Sequence, residues 1–384
     1  MNFKALSDFQ DSLIDLGIGG NDCAVYVDGK QVYRHFSGWQ NLEEGIKIND
    51  KTVYRMFSMT KPITCVAAMQ LFEKGGFLLN DPVSDYLPEF ANMKIRKILA
   101  DGTETFVSAQ KPMLVQHLFE MSAGLDYVLD APPLLKLKEE TNNLYTTREA
   151  ARAIAQKPLL FEPGEHWFYS LGHDVIGALI EVISGEKFGD YLKNHIFEPL
   201  GMRESGFEMD KILADRICHR YGFDENGKFV RGCEENQYRL SKNFESGGAG
   251  LSMTVDDYAR FACAMTNRGV SKDGVRILAG RTVDLMRTNR LNQTQLDDLW
   301  RTPGRAGYGW GLGVRTLYSP AVSGSATPIG EFGWGGAWGT YVIMDPSNKV
   351  TVVYAEQGVD TKGPYIQRRI RNIAYAALEY EGFI

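Results

Sequence analysis

Strand-like phrases occupy both ends of this sequence, and helical phrases fill the middle. Near the N-terminus, "CAVYVDGKQVYRHFSG" carries two β-rich runs around Asp28-Gly29, a turn pair that suits a hairpin. Near the C-terminus, "YGWGLGVRTL", "GTYVIMDPSN" and "KVTVVYAEQG" read as a meander, with a turn at Asp345-Pro346-Ser347-Asn348. Between them, from about Pro112 to Gly201, apolar residues recur at helical spacing. "PMLVQHLFEMSAG" stops at Gly124, and "LGHDVIGALIEVISG" stops at Gly185. A further helix follows Thr254, which suits an N-cap, and another closes the chain, roughly from Gln367 to Tyr380. Lys4 to Leu16 reads as a short amphipathic helix ending in the glycines at 17, 19 and 20. This order predicts an α/β fold of the α+β kind: one antiparallel sheet built from both termini, with a mostly helical region inserted between them. Residues 1–80 and 245–384 would form the α/β part and 81–244 the helical part of a single unit, with a cleft where they meet.

Charge and composition exclude several functions. The net charge of -6, with no Lys/Arg cluster, argues against a nucleic-acid partner. No apolar run approaches membrane-spanning length. The opening "MNFKALSDFQDSLIDLGIGG" has Asp, Gln and Ser where a signal peptide needs an unbroken apolar stretch, so a cytoplasmic location is expected. The five cysteines, Cys23, Cys65, Cys218, Cys233 and Cys263, are scattered and form no Cys-x-x-Cys, which suits reduced thiols. The six histidines show no metal-ligand spacing, and His117 and His173 in helical stretches read as structural. A Gly-x-Ser-x-Gly elbow, a P-loop and a Gly-x-Gly-x-x-Gly are absent, so no metal or cofactor is expected.

Chemistry enters with Ser-x-x-Lys, which occurs at Ser58/Lys61, Ser108/Lys111 and Ser184/Lys187. Ser184 precedes Gly185 at a helix end and reads as a cap. Ser108 follows a β-like stretch, and Lys111 precedes Pro112, which disfavours helix, so that pair shares no face. Ser58 opens an uninterrupted helical pattern through Lys74, with Pro62 tolerable in the first turn. Positions i and i+3 are neighbours on a helix surface, and a helix N-terminus favours a developing alkoxide. A lysine held in a dry cleft can accept a proton near neutral pH. A capping serine beside a solvated lysine explains the same residues. Tyr169, between a Pro-Gly turn and a helix, can point into a cleft or be one more aromatic beside Trp167 and Phe168. Trp334-Gly335-Gly336 approaches a strand, where paired glycines mark either a ligand close to the backbone or a bulge.

With its connecting phrases, the chain resembles the serine β-lactamase and penicillin-binding-protein superfamily on its class C side, which includes family VIII carboxylesterases and lovastatin-type acyltransferases. The resemblance runs from about Cys23 to Glu356. It rests on Phe57-Ser58-Met59-Thr60-Lys61-Pro62, "NDPVSDYLPEF", "QHLFEMSAGL", "FEPGEHWFYS", "GGAGLSMTVDDYARF" and the Trp334-Gly-Gly strand. It implies a β-lactamase/transpeptidase-like fold with the active site at the junction of its parts. It also implies Ser58 as nucleophile, Lys61 and Tyr169 sharing the proton work, and the N–H groups of Ser58 and Ala337 as the oxyanion hole. Trp334, Gly335, Gly336, Leu171 and Tyr127 would line the substrate site. Penicillin-recognising members usually have Tyr-x-Asn where this chain has Tyr169-Ser170-Leu171. They usually have Lys or His, then Thr or Ser, then Gly, where it has Trp334-Gly335-Gly336. Losing that Asn and that cation favours a neutral acyl group. The resulting expectation is a serine hydrolase of small neutral carboxylic esters. A β-lactamase or D-amino-acid peptidase, and a non-catalytic ligand-binding relative, are the alternatives; oligomeric state is left open.

Overall fold

The computed structural model describes residues 3–207, 211–360 and 362–384. Asp28 and Gly29 both have positive φ, 48° and 71°. That backbone matches the right-handed twist of flanking strands, and it joins β1 (Gly20–Val27) to β2 (Lys30–Asn41). The free edge of β1 pairs antiparallel with β8 (Val350–Glu356), Cys23 lying opposite Tyr354. The N-terminal hairpin and the C-terminal meander therefore share one sheet, as expected. Strand β3 (Ile46–Lys47) extends it beyond β2. On the other side lie β4 (Tyr308–Trp310), β5 (Arg315–Leu317), β6 (Phe332–Gly333) and β7 (Tyr341–Asp345), giving the order β4-β5-β6-β7-β8-β1-β2-β3.

Both faces of this sheet are covered. Cys23 and Val25 of β1 and Val352 and Tyr354 of β8 point to one side, where they meet Leu6 of α1 (Lys4–Ser12) and Ile366, Ile370 and Leu378 of α5 (Gly363–Tyr380). Ala24, Val353 and Ala355 point to the other side, into the central core. A strand covered on both faces has no polar side, so β8 is buried along its whole length. Helix α1 ends before the expected Leu16; Ile14–Leu16 is a 3-10 turn.

Helix α2 (Thr60–Glu73) is buried at every position from Thr60 to Leu71, as suits a helix apolar on all sides. It shares the central core with α3 (Gly172–Ser184) and α4 (Val255–Thr266). Both predicted caps form: Gly185 closes α3 at φ 74°, and the Thr254 side chain accepts the Asp257 N–H at the start of α4. "PMLVQHLFEMSAG" is helical only over Val115–Phe119, because Met121 turns into the left-handed region at φ 60°. Among the described residues, no helix is long and apolar enough to cross a membrane.

Candidate active site

Ser58 lies in a single 3-10 turn, Phe57–Met59, that feeds directly into α2. Phe57 has φ 45°, a conformation that bulky residues rarely adopt. Its ring is clamped by Trp338 at 4.5 Å and Tyr238 at 5.7 Å. Such backbone strain persists only where the surroundings over-determine it, and it tends to cluster at functional sites. One turn on, Lys61 is completely buried. Its Nζ donates to Ser58 Oγ (3.2 Å), Tyr127 OH (3.3 Å) and the Gly248 carbonyl (2.8 Å). The i, i+3 geometry thus holds the serine and the lysine together.

The carbonyl that receives Lys61 belongs to a loop stitched to α2. Thr64 Oγ1 donates to the Gly247 carbonyl at 2.8 Å, and the Leu251 N–H donates to Thr60 Oγ1 at 3.1 Å. Behind this loop, Asp174 in the first turn of α3 accepts the Ser246 hydroxyl (2.6 Å) and the Gly248 N–H (3.1 Å) on Oδ1. Its Oδ2 is buried without a hydrogen-bond partner among the described residues. Burial raises the Asp174 carboxyl pKa above its ordinary value, against the hydrogen bond from Ser246 and the charge of Lys61. A Cβ on Gly248 would lie 2.6 Å from Asp174 Oδ2 and 3.2 Å from Tyr127 OH. Only glycine passes between them.

Two tyrosines face Lys61, in different ways. Tyr127 and Tyr169 are stacked, ring centres 5.5 Å apart and 4° from parallel. Tyr127 offers its hydroxyl; burial, then the charge of Asp174, holds that hydroxyl's pKa well above the ordinary value. Tyr169 offers its ring face, with Lys61 Nζ 4.6 Å from the ring centre. Its hydroxyl accepts a hydrogen bond from Trp334 Nε1 at 3.0 Å. The resemblance implied a Tyr169 hydroxyl beside the lysine; the hydroxyl bonded to Lys61 is that of Tyr127, expected only as lining.

Residues 7–377 match the family model described as Beta-lactamase. The chain belongs to the Beta-lactamase family. It is accordingly a serine hydrolase by family. It is 29% identical to Protein Rv1367c of Mycobacterium tuberculosis over 325 residues, covering 83% of this chain and 81% of that protein. It is 28% identical to Esterase EstB of Burkholderia gladioli over 368 residues, covering 90% and 87%. Among solved structures, EstCE1, a hydrolase with promiscuous acyltransferase activity, superposes with a TM-score of 0.79 at 27% identity, covering 97% of this chain and 98% of that one.

The other expected site residues of this Beta-lactamase-family protein divide. Trp334 is 4% exposed and packs edge-on against Trp310, ring centres 4.5 Å apart. Gly335 forms one bridge to Tyr341, and the Gly336 N–H donates to the Thr340 carbonyl. Ala337 is exposed on the turn that follows, and its N–H has no partner among the described residues. Leu171 corrects the expectation: at 2% exposure it packs into the central core at the start of α3, not on a cleft wall. The other two Ser-x-x-Lys pairs are engaged elsewhere. Lys111 pairs with Glu165, Ser184 Oγ donates to the Ile180 carbonyl, and Lys187 pairs with Glu245. His117 Nδ1 accepts the Leu114 N–H, and His173 Nε2 meets the Phe119 carbonyl, both in structural settings.

Four residues of the cluster escaped sequence reasoning. Asp174 left a signal, an acidic residue on the apolar face of "LGHDVIGALIEVISG", and Gly248 left one in "GGAG". Tyr238 packs edge-on against Tyr127 from a loop with no pattern. Arg305, on the loop before β4, lies 4.2 Å over the Trp334 ring.

Proposed function

We propose that this protein is a carboxylesterase that acts on small esters through an acyl-enzyme on Ser58. The observation that carries the reading is the contact between Lys61 Nζ and Ser58 Oγ at 3.2 Å, inside a buried cluster where the lysine forms no ion pair among the described residues. Ser58 Oγ bonds to the acyl carbon, and its proton leaves to the Lys61–Tyr127 pair. The same pair returns a proton to the departing alcohol. Water then adds to the acyl carbon and releases the acid, restoring Ser58. Tyr169, ring-on to Lys61 and tied to Trp334, holds the lysine in place. The N–H groups of Ser58 and Ala337 would receive the oxyanion. The name of Esterase EstB supports ester chemistry in particular.

A panel of nitrophenyl esters of rising chain length, run beside a chromogenic cephalosporin, tests the reading. Short esters are expected to exceed the cephalosporin by about a hundredfold in kcat/KM, since an indole stands where β-lactam binders carry a cation and each lost polar contact is worth on the order of 1.5–3 kcal/mol. Equal rates on both substrates would replace the esterase reading with the β-lactamase one. A fluorophosphonate probe should label Ser58 alone.

A further inference from the structure

The turn that carries Ala337 is closed by the Gly339 N–H, which donates to the Gly336 carbonyl at 3.1 Å. Three contacts hold it from outside. Thr340 Oγ1 donates to the Met56 carbonyl at 3.1 Å, tying the turn to the segment before Ser58. The Trp338 ring packs on Phe57, and the Trp338 carbonyl accepts the Gly358 N–H at 3.0 Å. The third contact is Glu356, the last residue of β8. Tyr341 of β7 lies opposite Tyr354 of β8, so continuing that register sets Gly339 opposite Glu356. Gly339 has φ 106°, and a Cβ on it would stand 2.1 Å from both Cγ and Oε1 of Glu356. The turn therefore rests directly on the carboxyl group.

That carboxyl group has few partners for one so deep. Glu356 is 1% exposed. Tyr354 OH donates to Oε2 at 2.5 Å, and Oε1 is buried with no hydrogen-bond partner among the described residues. Other buried acids are answered by arginine: Glu331 by Arg315, Asp22 by Arg34 and Glu120 by Arg290. Glu356 has no such ion pair among the described residues. Arg55 and Arg220 are instead held over the Trp338 ring, 5.5 and 4.5 Å from its centre. The titratable groups around the carboxyl are Tyr354, Cys218 and Asp360, none of them cationic. Burial pushes the Glu356 pKa well above the ordinary carboxylate value, against the hydrogen bond from Tyr354, and the charge of Asp360 adds to the rise. An isolated carboxylate is costly in such surroundings, and the group takes up a proton instead.

We propose that Glu356 is a positioning residue of the oxyanion turn, a neutral carboxylic acid on which Gly339 rests and which thereby aims the Ala337 N–H. An oxyanion hole works where its donors are directed in advance at the charge that develops. Ala337 is exposed and anchors nothing itself. Its N–H is aimed by whatever holds Trp338, Gly339 and Thr340, and Glu356 is the part of that support that carries a titratable group. Glycine at 339 lets the acid come close. The proton on the acid matters as much as its shape: a carboxylate behind the turn would oppose the negative charge forming on the substrate oxygen, and a carboxylic acid does not. The inference rests on the esterase reading for the role of Ala337.

Three substitutions, read as kcat and KM on nitrophenyl acetate, separate shape from charge. Glu356→Gln, neutral and nearly equal in size, should keep kcat within about threefold of wild type. Glu356→Asp draws the acid back by one methylene, and Glu356→Ala removes it. Each should lower kcat at least about tenfold at unchanged KM, part of the loss expected when an oxyanion donor is removed outright. At neutral pH the wild-type protein should also show the infrared carbonyl band of a protonated carboxyl that Glu356→Gln lacks. Wild-type kcat in the Asp and Ala variants, a Gln variant as slow as the Ala one, or no such band in the difference spectrum overturns the proposal. Where Glu356→Ala does not fold, the Asp and Gln variants decide alone. Ester turnover that none of the variants changes leaves the esterase reading intact and sinks the positioning role. If the wild-type protein turns over no ester, the esterase reading falls, and the variants are read on the rate at which a fluorophosphonate labels Ser58, since its phosphoryl oxygen calls on the same N–H groups. Labelling slowed about tenfold by Asp and not by Gln then leaves the positioning role standing; labelling equal in all variants, or none in wild type, overturns it too.

Discussion

In the proposed mechanism Lys61 is the residue on which the chemistry turns, and its partners set what each substitution should do. Tyr127 touches Nζ through its hydroxyl and Tyr169 through its ring, while stacked on one another. Tyr127→Phe, which removes the hydroxyl bonded to Lys61, and Tyr169→Ala, which removes the ring packed on it, should each lower kcat on nitrophenyl acetate by about a hundredfold or more, with little change in KM, whereas Tyr169→Phe, which keeps the ring, should cost much less. Tyr127→Phe combined with Tyr169→Ala should be little worse than the poorer single variant, because the Tyr127 hydroxyl and the Tyr169 ring act on one ammonium. Fully multiplicative losses would mean that the tyrosines act separately. Gly248 tests the same cluster from behind. A methyl group there meets Asp174 Oδ2 at 2.6 Å, so the loop must move and carry away the carbonyl that binds Lys61. Gly248→Ala should cost at least about tenfold in kcat while the far-ultraviolet circular dichroism stays native; wild-type kcat would show that the position of this carbonyl is unimportant.

At the scale of elements, α2 and α4 rely on different support. Helix α2 is buried from Thr60 to Leu71 and is held by packing. Helix α4 starts against the sheet and depends on its cap, the Thr254 hydroxyl accepting the Asp257 N–H at 3.2 Å. Thr254→Ala should lower stability by about 1 kcal/mol, read as a lower urea midpoint at unchanged m-value. An unchanged midpoint would assign the start of α4 to packing alone. Phe57 shows an element boundary bent for a purpose. Its left-handed backbone lets the chain turn from the strand Val53–Arg55 into α2 within four residues, bringing Ser58 to the helix mouth.

At the scale of the whole molecule, burial of titratable groups makes stability depend on pH. His117 is 8% exposed, and burial, with Lys111 nearby, lowers its pKa to about 4. A histidine whose folded pKa lies below its unfolded value stays neutral in the fold. It therefore takes stability away as pH falls from about 6.5 toward 4. At pH 5 the loss from this one group is about 2 kcal/mol. Buried carboxylates with raised pKa values, Asp174 among them, act in the opposite sense, so the clean measurement is a difference. His117→Gln should flatten the change in unfolding free energy between pH 7.5 and 5 by about 2 kcal/mol relative to wild type. Parallel curves would mean that His117 does not titrate in this range in the unfolded chain alone.

What the sequence determined by itself was local. Asp28-Gly29 imposed the hairpin, Gly185 and Thr254 imposed helix ends, and three-residue spacing across the 3-10 turn and the first turn of α2 placed Lys61 against Ser58, because each depends only on backbone conformation within a few residues. The tertiary structure alone decided matters set by contacts distant in the chain. It chose which tyrosine gives Lys61 a hydroxyl, since that depends on how the 127 and 169 loops stack. It buried Leu171, whose position in a motif says nothing of which way α3 packs. It threaded Gly248 past Asp174, and it left the Glu356 carboxyl buried against Gly339 without a cation among the described residues. Nothing in "VYAEQG" marks that burial; closing the sheet between the two ends of the chain, with β1 against β8, produces it.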